Sequence, residues 1–138
     1  MKRPCSLILA LLCVLCGQAP AAETRDLLLI AGQSNAVGYD AKPSELPADD
    51  ADKQVMFWFR AGDPPPDEHD VTSGGKWTTL QPQPKSTPME KSKAPRQYGN
   101  FASVDGGFGP EMGFARALFA KEKKPLAVVK AAWSGTGM

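Results

Sequence analysis

Cysteine and histidine are scarce in this chain, and their scarcity excludes a good deal. The three cysteines, Cys5, Cys13 and Cys16, all fall within the first 22 residues, and the sole histidine is His69. No cluster of His, Cys, Asp or Glu has metal-ligand spacing, so no metal site is expected. No disulfide framework can be drawn from the residues that follow the first 22. Charge of one sign is also missing. The formal net charge is +1, and setting aside Lys2 and Arg3 leaves 14 basic against 15 acidic residues, a balance of −1. A chain so nearly neutral carries no electrostatic footprint for nucleic acid or for an anionic membrane. No apolar run approaches the roughly 20 residues needed to span a bilayer, and there is no internal repeat. Two nucleotide-binding loops are absent as well. A Walker loop needs glycine where Val37 stands, and a dinucleotide fingerprint needs it where Ser34 stands. No cofactor is expected.

What is present begins with an export signal. Lys2 and Arg3 form a positive start, Ser6 to Cys16 is almost wholly apolar, and Ala19-Pro20-Ala21 offers small residues at the positions a signal peptidase reads. Residues 1–22 are therefore expected to be removed, leaving a domain over 23–138 that is exported to a periplasm or to the medium. Leu15 occupies the position before Cys16 where a lipoprotein signal prefers a small residue. After cleavage no stable membrane span remains.

Three short apolar runs read as strands. Asp26 to Ala31 is unbroken and ends at Gly32, a pattern that predicts burial on both faces, as in a parallel sheet covered by helices. Gln54 to Phe59 is rich in aromatics and predicts a second strand, with Phe57, Trp58 and Phe59 as packing residues. Leu126 to Ala132 is the third. The best helix starts near Gly109-Pro110-Glu111, with proline at the first helical position and Glu111 as a charge at the positive helix end. It presents Met112, Ala115, Leu118 and Phe119 on one face and stops at Pro125. Between Arg60 and Phe108 lies a proline-rich stretch with little periodicity, in which Trp77 to Leu80 predicts a short edge strand. Trp77 and Tyr98, in that stretch, are read more as loop residues than as a platform for a sugar ring. The order strand, strand, long loop, helix, strand points to a layered α/β fold.

The segment Leu29 to Gly38 places Ser34 on a tight turn directly after the first strand. Active sites of parallel α/β sheets form outside the carboxyl ends of strands, and N–H groups at a helix start can hold a developing oxyanion. The plain alternative is that Ser34 or Asn35 caps a helix. The G-x-S-x-G elbow does not fit, because Ala36 stands at its last glycine.

Gly32-Gln33-Ser34-Asn35 after an apolar strand resembles the first block of the SGNH hydrolases, and in particular the branch of sialate O-acetylesterases and acetylxylan esterases, where it typically reads G-Q-S-N. Two further segments resemble that branch in the right order. Gly107 to Ala115 is similar to its G-x-G-P-E-x-x-F-A helix start, and Lys130 to Thr136 to its strand ending in G-G-T, with Ser134 in place of the first glycine. The resemblance implies a flavodoxin-like three-layer α/β/α sandwich with a parallel sheet, of which this chain holds the N-terminal half. It also implies a serine ester hydrolase acting on acetylated carbohydrate, with Ser34 as nucleophile and an oxyanion hole from the N–H groups of Ser34 and Gly135.

In that branch a Q-G-E block and a D-x-x-H block follow G-G-T, and the second supplies the general base. Neither occurs before Met138, and His69, preceded three residues earlier by Pro66, does not fit D-x-x-H. A serine without a base is a weak nucleophile at neutral pH, so the chain by itself is expected to be inactive. The alternative expectation is a non-catalytic secreted remnant or a carbohydrate-binding module of the same fold. In such a remnant the third strand is expected to expose an unpaired side.

Overall fold

The computed structural model of the chain describes residues 23–38, 41–62, 70–85 and 105–135. The expected signal segment, His69 and Tyr98 lie outside the described residues.

Each apolar run becomes a strand: β1 (Asp26–Gly32), β2 (Met56–Gly62) and β5 (Leu126–Trp133), joined by the short β3 (Asp70–Thr72) and β4 (Thr78–Thr79). Two α-helices accompany them among the described residues, α1 (Ser34–Val37), a single turn, and α2 (Pro110–Glu122). The second strand starts later than its apolar pattern predicts. Gln54 takes helical backbone angles as the cap of a 3-10 turn over Asp50–Lys53, so pairing begins only at Met56.

The sheet runs in the order β1-β5-β2-β3, with β4 also on β2. β5 is parallel to both long neighbours, Asp26 to Gly32 facing Leu126 to Ala132 and Met56 to Gly62 facing Ala127 to Trp133. β3 and β4 lie antiparallel along the outer side of β2. The result is an α/β fold on a mixed, mostly parallel sheet. Several expectations change. The third parallel strand is not an edge; it is the centre, paired on both sides. Nor is β1 buried on both faces. Among the described residues it is an edge strand, and Leu27 and Leu29 are 65% and 63% exposed. A flavodoxin-like winding sets its first strand between the second and third, whereas here the third parallel strand lies between the first two.

Alternate residues of a strand face opposite ways, and this sorts the core. Phe57, Phe59, Leu126 and Val128 point to the face covered by α2, where they meet Met112 and Ala115, all buried. The Phe57 and Phe59 rings stack at 5.1 Å. The opposite face holds Leu27, Leu29, Trp58 and Trp133, with the Arg60 guanidinium 6.0 Å from the Trp133 ring. Among the described residues no helix covers that face, and none is long and apolar enough to cross a membrane.

α2 forms as its sequence predicts. Pro110 takes the first helical position, Met112 and Ala115 are buried with Leu118 and Phe119 half-buried behind them, and Lys123 ends the helix in a left-handed conformation. Its register is held by Arg116, which donates to both carboxylate oxygens of Asp52 at 2.8 and 2.7 Å and to the Pro47 carbonyl at 2.9 Å.

Candidate active site

Because Gly32 pairs with Ala132, the chain leaves β1 and β5 at the same level and at the same, carboxyl end of the sheet. Ser34 and Gly135 therefore sit on adjacent turns at one rim. Ser34 is the first residue of α1, half-buried. Gln33, not Ser34 or Asn35, holds the capping position, and it makes no side-chain cap bond. The capping account of Ser34 thus finds no geometry here. The amides of Ala36 and Val37 both donate to the Gln33 carbonyl, at 2.9 and 3.0 Å. The N–H groups of Ser34 and Asn35, at the start of the turn, have no intrahelical acceptor.

The turn rests against the entry to α2, backbone on backbone. Gly38 has φ 86°, and a side chain there would overlap the Phe108 carbonyl; one at Gly109 would overlap the Ala36 carbonyl. Between the two segments opens a cleft of about 630 Å³ lined by Ser34, Asn35, Gly38, Phe108, Gly109 and Pro110 among others. Trp77 is 47% exposed on the β3–β4 side and does not line it. Gly135 is not part of the lining either.

Beneath the turn lies a buried polar cluster. Lys130, in the middle of β5, and Glu111, in the first turn of α2, are both fully buried, with Lys130 Nζ 2.9 Å from Glu111 Oε1. Lys130 also donates to the Val37 carbonyl at 2.9 Å, and Gln83 Nε2 donates to the same oxygen at 2.6 Å. Glu111 Oε1 accepts from the Gly109 N–H at 2.8 Å. Burial pushes the Lys130 ammonium below the ordinary lysine range, and the attraction of Glu111 offsets this only in part. Glu111 is therefore more than a charge at a helix end: it joins α2 to the central strand. Gln83 is held by a bridge to Gly107. Two acceptors of the cluster, Glu111 Oε2 and Gln83 Oε1, have no donor among the described residues.

One signal for this cluster was in the sequence. Leu126, Val128, Lys130 and Ala132 share a strand face, and a lysine in an otherwise apolar row must be buried with a partner or must displace the strand. Gln83 leaves no such trace, since nothing in a proline-rich stretch marks one glutamine as buried.

Ser134 follows the last residue of β5 and is buried. Its N–H donates to the Gly62 carbonyl at 2.8 Å and so continues the ladder. That donor is occupied, so among the described residues of this turn the Gly135 N–H, in a residue with φ 69°, is the remaining one. The Ser134 hydroxyl is buried without a partner among the described residues. No group of three or more His, Cys, Asp or Glu among the described residues is placed to hold a metal, and none of them is a histidine.

Comparison of the chain with protein-family models, with curated proteins and with solved structures returns no match.

Proposed function

We propose that this chain is the nucleophile-bearing portion of an exported carbohydrate O-acetylesterase of the SGNH hydrolase type. The observation that carries the reading is the placement of Ser34: it begins a one-turn helix at the carboxyl rim of a mostly parallel sheet and lines an open cleft, on the strand next to the one that leads to Gly135. The three sequence blocks that resemble the family meet at this rim. G-Q-S-N forms the turn, G-P-E packs against it, and the strand ending at Ser134-Gly135 emerges beside it. The strand order 1-5-2 and the antiparallel β3 and β4 both depart from a flavodoxin-like parallel winding.

In this mechanism Ser34 Oγ attacks the acetyl carbonyl, the sugar oxygen leaves as the alcohol, and water then releases acetate from the acetyl-serine. The N–H groups of Ser34 and Gly135 hold the oxyanion in both steps. The general base comes from a histidine, which the described residues do not contain. The export signal at residues 1–22 belongs to the same reading, since polysaccharides and glycoconjugates are met outside the cytoplasm.

The test is to express the reading frame that encodes this chain through to its stop codon and to assay p-nitrophenyl acetate and acetylated sugars. Ser34→Ala is expected to abolish hydrolysis. Full activity in that variant overturns the nucleophile assignment, and sugar binding without hydrolysis by the unaltered protein points to a carbohydrate-binding module.

A further inference from the structure

We propose that the buried Lys130–Glu111 pair, acting with Gln83, is a positioning device that fixes the Ser34 turn against the sheet. The proposal rests on the reading of Ser34 as nucleophile for its catalytic consequence, but not for its geometry.

The last carbonyl of a helical turn has no partner within the helix and is well served by a cation. Val37 ends α1, is itself buried, and receives two side-chain donors on one oxygen, Lys130 Nζ at 2.9 Å and Gln83 Nε2 at 2.6 Å. These donors come from the central strand and from the segment before the 86–104 stretch. Glu111 brings in the third element, α2, through Lys130, and its Oε1 simultaneously holds the Gly109 N–H at the point where α2 touches the turn. Sheet, helix and loop thus converge on one peptide group three residues after Ser34.

Stability alone does not account for such a cluster. A buried ion pair is often replaceable by apolar side chains without loss, and this one carries two acceptors, Glu111 Oε2 and Gln83 Oε1, with no donor among the described residues. What apolar side chains cannot supply is a donor aimed at the Val37 oxygen. A one-turn helix has almost no stiffness of its own, so the position of Ser34 depends on what holds the other end. A displacement on the order of 1 Å at a reacting group lowers turnover by about a hundredfold.

The test uses the protein expressed through to its stop codon, with two readouts. Lys130→Met/Glu111→Gln removes the pair's charges and the lysine donor while keeping an acceptor for the Gly109 N–H; Gln83→Leu removes the second donor and leaves the pair intact. Amide hydrogen exchange at Ala36, Val37 and Gly38 is expected to rise tenfold or more in the double variant and several-fold in Gln83→Leu, with exchange at Phe57 and Val128 unchanged. In the ester assay kcat is expected to fall ten- to a hundredfold with KM within about twofold. Unchanged exchange across the turn overturns the proposal, as does wild-type kcat in the folded double variant. If the double variant does not fold, Gln83→Leu decides by the same two measurements. Hydrolysis that survives Ser34→Ala removes the esterase reading, and the exchange measurement then judges the positioning role by itself.

Discussion

Lys130 Nζ lies 2.9 Å from the carbonyl oxygen of Val37, so the centre of β5 is tied directly to the end of the turn that begins at Ser34. The bond crosses 93 residues of sequence and joins two segments that the apolar pattern alone places only in neighbouring layers. It also makes Glu111 part of the site's support, because a lysine buried in a sheet needs an opposite charge, and the first turn of α2 supplies it.

Removing one member of the pair separates its electrostatic burden from its geometry. Lys130→Met leaves the Glu111 carboxylate buried with no counter-charge, and a loss of about 3–5 kcal/mol is expected in urea denaturation. Lys130→Met/Glu111→Gln carries no buried charge and is expected to recover most of that loss. Equal destabilisation of the single and double variants would show that packing, not charge, sets the cost.

The direction of the Lys130 shift makes a statement about pH. The folded state holds this proton less tightly than the unfolded chain, where an exposed lysine titrates at about 10.4. Below the folded value both states are protonated and the contribution is constant. Between the two values the unfolded chain binds the extra proton, so stability rises with pH. The difference in unfolding free energy between wild type and Lys130→Met/Glu111→Gln should therefore move in favour of the wild type as pH is raised toward about 10. A move in the opposite direction would mean that Glu111 holds the ammonium more strongly than burial penalises it.

Two glycines that look alike in sequence should respond oppositely to alanine. Gly38 has φ 86° and its side chain would overlap the Phe108 carbonyl. Left-handed strain and overpacking together are expected to cost roughly 2–5 kcal/mol and to widen the cleft at Ser34. Gly113 lies within α2, and a methyl group added there would meet nothing within 4 Å. Gly113→Ala is therefore expected to stabilise by about 1 kcal/mol through helix propensity. Thermal melts of the two variants against wild type check both signs.

How far the fold was legible follows from which forces leave a local trace. The long strands and α2 were readable because apolar runs, a proline at a helix start and another at its stop act within a few residues of one another. The position of Ser34 on a turn after β1 was readable for the same reason. Strand order was not, because Leu126–Ala132 has the same apolar character whether it ends a sheet or centres it. β3 was missed since Asp70–Thr72 is three residues long, and what makes it a strand is the open side of β2 at Arg60–Gly62. The tie from Gln83 to Val37 was beyond reach, being a contact between a loop and a backbone oxygen whose partners share no pattern.

The edge at β1 carries the last prediction. Among the described residues β1 pairs with β5 alone, and its outward face shows Leu27 and Leu29 at 65% and 63% exposure. On the other face Leu28 borders an apolar depression of about 240 Å³ with Leu118 and with Phe114, itself 63% exposed. A strand with one open edge and apolar side chains on both faces is a template for a further strand or for another chain. The 138-residue chain by itself is therefore expected to self-associate at roughly micromolar to millimolar concentration, measured by sedimentation velocity across a dilution series. Leu27→Lys/Leu29→Lys places charge on the outward face without touching the residues packed under α2, and should weaken association at least about tenfold, as edge lysines do elsewhere. A wild-type chain that stays monomeric throughout the series would mean that residues beyond those described already cover β1.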